Sequence, residues 1–230
     1  MELSGRLKLI YQMIPQCGTL CDVGADHALI PAYALLNNRC RKAVACDVKK
    51  GPLERADRTL LKYGLQDCMD LRLGSGLRPI SADEADVVIL AGMGGVLIAE
   101  LLNDQLEKAK LAHRIILQPM YAQEVIRPFL WRNGFRIEDE ALTREGSKIY
   151  QAMAVSFDKD ATDKSQRNPL FEVVGELLIK KKDPLLNDWL YDRIEIQKKI
   201  VNGLRRAAAP SPSLKREEML LIDMEALLGT

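Results

Sequence analysis

The stretch CDVGADHALIP, residues 21–31, decides how this chain is read. An apolar segment runs into an acid (Asp22), turns on a glycine (Gly24), then meets a second acid (Asp26) and a histidine (His27). A strand that turns on glycine into a helix is the first corner of a nucleotide-binding βα unit. Such corners usually carry more glycine where this one has Asp-His. Its ligand must tolerate two carboxylates.

Outward from that corner, strand-like and helix-like segments alternate. Leu3, Leu7, Ile10 and Ile14 recur at helical spacing, which predicts a helix opening the chain. Residues 19–23, 42–47 and 69–73 read as strands, with helices at 27–37 and 52–63 between them. The apolar run ADVVILA (85–91) has the composition of a parallel strand buried on both faces. A helix at about 95–107, a strand at 113–118 and a helix at 122–132 follow. Segments 135–142 and 148–157 come without a helix between them and predict an antiparallel pair. The pattern is α/β, a doubly wound Rossmann-like sheet closed by a hairpin.

The polar, turn-rich stretch 158–169 predicts a linker, so an α/β domain is expected over 1–160 and a different one over 161–230. In the tail Leu186, Leu190, Ile194, Gln197, Val201 and Leu204 follow helical spacing. Leu214, Leu221 and Leu228 repeat every seven residues, with Met224 between the last two. Two long helices in an antiparallel, coiled-coil-like hairpin are expected.

With 230 residues the chain can hold one α/β domain and a smaller appendage. Net charge is +1, so a nucleic-acid partner would have to be met by a local basic surface. Cys17, Cys21, Cys40, Cys46 and Cys68 are odd in number and contain no CxxC, which points to free thiols rather than a disulfide framework or a metal site. The charged, amphipathic start is not a signal peptide, and no apolar run reaches the ~18 residues of a membrane span. A cytoplasmic protein without metal is expected, with a monomer favoured.

Ligands of such sheets lie at the carboxyl ends of the strands. DVGADHA, Asp47 with Val48, GSGL (74–77) and AGMGG (91–95) all fall there. A dinucleotide pyrophosphate needs several glycines at close approach, and Asp26 would repel it. S-adenosylmethionine has no phosphate and carries a sulfonium and an ammonium, so Asp22 and Asp26 suit it. Asp47, 25 positions after Asp22, is placed to accept from ribose hydroxyls. Gly24, Ser75 and Gly76, with Ala91, Gly92, Met93 and Gly94, would bring backbone close to that cofactor. Each of these also has a plainer reading as a turn, cap or packing residue.

DVGADHALIP, AGMGGVLIAELL, ILQP, NGF (133–135) and KIY (148–150) together resemble the bacterial tRNA (adenine-22-N1)-methyltransferases, the TrmK family. The resemblance covers about residues 3–157. It implies a class I methyltransferase domain, a C-terminal helical hairpin, and methylation of a D-arm adenine in tRNA. Leu29 stands where the family usually has tyrosine, Met120 where asparagine is usual, and Ser75 where asparagine or aspartate is usual. Leu29 and Met120 would face substrate, as would Gln118 and Pro119.

Neutral adenine N1 already has a lone pair, so alignment is the main requirement for its methylation. A carboxylate near the exocyclic amine would stabilise the charge that develops and then take a proton. Asp26 is the first candidate and His27 the second; Asp26 serving only the cofactor's ammonium is the alternative. Tyr121 and Tyr150 are candidates to stack on an extruded base. Lys180, Lys181, Lys198 and Arg205 are candidates to hold tRNA phosphates, against the plainer reading of a solvated helix face. A methyltransferase on another RNA nucleotide or a small molecule, and a non-catalytic cofactor-binding interaction protein, remain as alternatives.

Overall fold

The structure, a computed structural model, describes residues 1–160, 168–207, 209 and 211–228. Most of the expected linker, 161–167, lies outside them. The chain divides into two compact units, Met1–Ser165 and Gln166–Thr230.

The first unit runs α1 (Gly5–Met13), β1 (Cys17–Val23), α2 (Leu29–Leu36), β2 (Cys40–Asp47), α3 (Lys50–Tyr63) and β3 (Met69–Leu73). It continues with β4 (Val87–Gly94), α4 (Gly95–Asp104), α5 (Leu106–Leu111), β5 (Arg114–Tyr121), α6 (Ile126–Arg132), β6 (Phe135–Glu145) and β7 (Lys148–Phe157). The strands form one seven-stranded sheet in the order β3-β2-β1-β4-β5-β7-β6. β1 to β5 are parallel; β7 runs antiparallel to both β5 and β6. Strand order reverses between β1 and β4, which opens a crevice at their carboxyl ends.

The strands alternate between two covered faces. Leu20, Val87 and Ile89 pack under α1, α2 and α3, against Ile10, Ile30, Ala34 and Leu60. Cys21, Val23, Val88 and Leu90 pack on the other face against Ile98, Leu102, Ile126 and Leu130 of α4 and α6. Burial on both faces is why VVIL reads as an unbroken apolar run. α2 accepts Pro31 because the N–H groups of a helix's first turn have no partner within the helix. Gly64, with φ +67°, closes α3 by donating its N–H to the Leu60 carbonyl.

Three local expectations are corrected. AGMGG is not a loop: β4 continues to Gly94, its pairing with β5 (Ala91 with Gln118, Met93 with Pro119, Gly94 with Tyr121) kept through two register shifts. The helix expected at about 95–107 breaks at Gln105. On one side of the break Asp104 accepts two hydrogen bonds from Arg78; on the other, Lys108 donates to the Leu77 and Ile80 carbonyls. The helix expected at 122–132 begins with a 3-10 turn at Gln123–Val125 and is α-helical from Ile126.

In the second unit the two expected helices are α9 (Leu186–Arg205) and α10 (Leu214–Ala226), preceded by the short α7 (Leu170–Val173) and α8 (Glu176–Lys181), which the sequence pattern does not announce. Arg205 pairs with Glu218 and Lys198 with Glu225, so α9 and α10 run antiparallel. The seam differs from the heptad of leucines. Leu220 and Met224 are buried on α10, whereas Leu214, Leu221 and Leu228 are only partly covered. On α9 Trp189 joins Leu190, Ile194 and Val201 inside, and Gln197 is buried because its amide donates to the Glu217 carbonyl and carboxylate.

Candidate functional site

The crevice between β1 and β4 holds a cleft of about 340 Å³, within the range of small-ligand pockets. Its floor is Asp22, Ala91 and Gln118; its rim is the corner Gly24, Ala25, Asp26 and His27; Leu29 and Ile30 of α2 close one side. Arg6, Leu7 and Ile10 of α1 form the remaining wall. The sequence predicted α1 but not this position. What fixes it is Glu145 at the end of β6, which accepts the Arg6 backbone N–H at 3.0 Å and the Arg6 guanidinium at 2.7 Å.

Asp22 is the informative residue. It follows Leu20 on the face under α1 and α2 and is 4% exposed. Burial pushes its carboxyl up to about 7, and the neighbouring Asp47 carboxylate adds to the push. A buried acid beside a second acid is costly by itself. A cationic ligand would relieve that cost and a phosphate would raise it, so this donor set fits S-adenosylmethionine and not a dinucleotide.

The corner backbone is bent to reach this geometry. Gly24 has φ +73°, and a Cβ there would collide with the Met93 methyl that reaches across from β4. Asp26 (φ 44°) and Ala28 (φ 51°) are non-glycine residues in the left-handed region, at a cost of about 1–2 kcal/mol each. Asp26 is held by Arg55 of α3, whose Nε donates to Oδ1 at 2.7 Å and whose Nη2 donates to the same oxygen. His27 Nε2 stands 3.8 Å from Asp26 Oδ2, so both candidate catalytic groups sit together on the exposed rim. Nothing in the sequence marked Arg55 as a partner.

The remaining candidates lie in four places. Asp47, Val48, Ser75 and Gly76 lie beside the cleft at the ends of β2 and β3, and none lines it. Asp47 Oδ1 already accepts the Lys49 N–H at 2.9 Å, and the Asp47 carbonyl accepts the Gly74 N–H. At the β4–β5 edge, Gln118 is fully buried; its Oε1 accepts the Gly92 N–H at 3.1 Å and its Nε2 donates to the Pro119 carbonyl. It braces the end of β4 as well as lining the cleft. Pro119 is buried, while Met120 and Tyr121 are exposed, and a Cβ on Gly94 would stand 2.6 Å from the Tyr121 ring. Tyr150 lies on β7 with the Arg6 guanidinium 5.6 Å from its ring centre.

The tail cations lie in the second unit. Lys180 pairs with Glu176, Lys198 with Glu195 and Glu225, and Arg205 with Glu218. These pairings neutralise three of the four candidate phosphate-binding side chains locally; Lys181 also has a partner.

The methyltransferase-domain family matches residues 3–153. The chain is 32% identical to the tRNA (adenine(22)-N(1))-methyltransferase of Bacillus subtilis over 99% of its own length and 96% of that protein's. The chain belongs to the tRNA (adenine(22)-N(1))-methyltransferase family. The crystal structure of the Bacillus subtilis methyltransferase superposes with a TM-score of 0.82 at 30% identity, covering 98% of this chain and 97% of that one. A Streptococcus pneumoniae structure in complex with S-adenosyl-L-methionine matches at 26% identity and a TM-score of 0.82, covering 97% and 98%. The tRNA (adenine(22)-N(1))-methyltransferase fold therefore extends over both units of this chain. Among the described residues no helix is long and apolar enough to cross a membrane, and no group of His, Cys, Asp and Glu is arranged to hold a metal.

Proposed function

We propose that the chain transfers a methyl group from S-adenosylmethionine to N1 of adenine 22 in the D-arm of tRNA. The observation that carries the reading is Asp22: a buried carboxylate at the floor of the cleft, pushed toward neutrality by burial and Asp47. Bound S-adenosylmethionine supplies an electrophilic methyl group on a cationic sulfur. Asp22 would hold the cofactor's positive end, and the second oxygen of Asp47 would accept from its ribose hydroxyls. Backbone at Ser75–Gly76 and Ala91–Gly94 would line its flank, with Gly24 permitting close approach.

Adenine N1 needs no base before it is alkylated, so the protein's contribution is alignment and charge. Asp26, fixed by Arg55, would face the exocyclic amine as positive charge develops on the ring and would then accept a proton; His27 at 3.8 Å would share it. Tyr121, exposed at the end of β5 and resting on Gly94, would stack on the extruded base. The free cysteines among the described residues agree with a reducing, cytoplasmic setting.

The test is methyl transfer from labelled S-adenosylmethionine to unmodified bacterial tRNA, followed by nucleoside mass spectrometry and fragment mapping. The expected product is 1-methyladenosine at position 22. Another methylated nucleoside, or none despite cofactor binding, would overturn the reading.

A further inference from the structure

A second concave surface adjoins the cleft. His27, Arg55, Arg58, Thr59 and Lys62 line an open groove of about 380 Å³ along α3. Arg55, Arg58, Thr59 and Lys62 fall at i, i+3, i+4 and i+7 of that helix and so share one face. Several cations of this unit meet carboxylates: Arg72 pairs with Glu84, Arg78 with Asp104, Arg127 with Glu140 and Arg136 with Glu138. Arg58 and Lys62 form no ion pair among the described residues. Arg58 reaches only the Glu54 carbonyl of its own helix, and the Lys62 ammonium lies 5.2 Å from the Tyr63 ring. In a chain of net charge +1, this is a local concentration of uncommitted positive charge.

Its place gives it a meaning. His27 lines both the groove and the cleft, so the two surfaces are continuous. Arg55 lines the groove and holds Asp26. The geometry points to a phosphate track: the α3 groove receives the sugar–phosphate backbone beside the target nucleotide, with Arg58 and Lys62 contacting phosphates. This rests on the reading of the cleft as an RNA-methylating site. Arg55 then ties the track to Asp26, so a strand seated in the groove lies against the residue that fixes the candidate catalytic carboxylate.

The double variant Arg58→Ala/Lys62→Ala tests it, with Arg41→Ala/Lys42→Ala on β2, at the opposite end of the sheet, as a control of equal charge loss. Affinity for unmodified tRNA is measured across a salt series, alongside S-adenosylmethionine binding and 1-methyladenosine formation. Removing two phosphate-binding side chains should reduce the salt slope by about 1.4 and weaken binding roughly 25-fold at ~0.1 M salt. Cofactor affinity should be unchanged in both variants, and tRNA affinity unchanged in the control. If the groove variant keeps its affinity and slope, or if both variants lose affinity equally, the track is wrong. If the wild type binds tRNA through the groove yet forms no 1-methyladenosine, the track stands and the assigned reaction falls. If the wild type binds no tRNA, the track falls as well. Should the double variant lose cofactor binding through misfolding, Arg58→Gln at its exposed position carries the test, with half the change in slope.

Discussion

Arg55 and Asp26 join α3 to the corner after β1: two nitrogens of the guanidinium donate to one carboxylate oxygen, Oδ1. The other oxygen, Oδ2, is left toward His27 at 3.8 Å. Both partners are partly exposed, so screening makes the pair worth little to stability, about 0–1 kcal/mol. On the proposed reading its value lies in aiming Oδ2. Asp26→Asn should lower kcat about 100-fold with cofactor affinity retained. Arg55→Ala should lower kcat about tenfold, because the carboxylate is still present but less well aimed, with thermal stability little changed. Calorimetric cofactor binding beside single-turnover rates separates these. If Asp26→Asn loses cofactor affinity alone, Asp26 serves the ammonium and not the base.

Gly94 and Tyr121 make a second testable contact. Gly94 has an ordinary φ of −71°, so alanine there is not strained by the backbone; its Cβ would instead press on the Tyr121 ring. Tyr121→Ala should reduce kcat/KM for tRNA by about tenfold or more, the loss of roughly 1–3 kcal/mol of base stacking. Tyr121→Phe should be close to wild type. Gly94→Ala should also lose activity by displacing the ring, and Gly94→Ala/Tyr121→Ala should be no worse than Tyr121→Ala alone. Full additivity of the two effects would show that Gly94 acts by another route.

The succession of strands and helices along the chain was legible because it depends on local pattern. An apolar run such as VVIL announces a doubly covered strand, and CDVG announces a corner wherever they lie. What was not legible depends on contacts between distant residues. β4 keeps its pairing past Ala91 because Gln118, on another strand, accepts the Gly92 N–H. α1 walls the cleft because Arg6 finds Glu145, 139 positions away. Asp26 is aimed by Arg55, which in sequence is one more cation on an amphipathic helix. The tail seam runs through Leu220 rather than Leu221, with Gln197 of α9 donating to Glu217 of α10, and a heptad of leucines alone does not reveal that.

Arg127 and Glu140 form a buried ion pair, each side chain 1% exposed, between α6 and β6. Glu140 Oε1 accepts from Nε and Nη2 of Arg127 and from the Gln151 amide. Breaking such a pair leaves a charge unpaired in the interior. Glu140→Gln should therefore destabilise the fold by about 3–5 kcal/mol, read as a lower urea midpoint with an unchanged m-value. Below the transition, kcat should match wild type, because neither residue lines the cleft.

Asp22 links the site to pH. Its carboxyl rises from the ordinary 3.8 to about 7 because it is buried, with Asp47 adding to the rise. In the ligand-free protein the folded state thus keeps a proton that the unfolded state has released between those values. Stability contributed at Asp22 is fully present below pH 3.8, falls as pH rises toward 7, and is level above. Asp22→Asn removes this dependence. The variant should melt higher than wild type at pH 8, and the difference should vanish near pH 4. Cofactor binding has the opposite sign, because a cationic ligand needs the ionised carboxylate. Wild-type affinity for S-adenosylmethionine should weaken by up to about tenfold per pH unit below 7, whereas Asp22→Asn should bind weakly with a flat profile. A variant that is less stable at pH 8, or that binds the cofactor as tightly as wild type, would show that Asp22 is a structural acid and that the cleft's cationic ligand is held elsewhere.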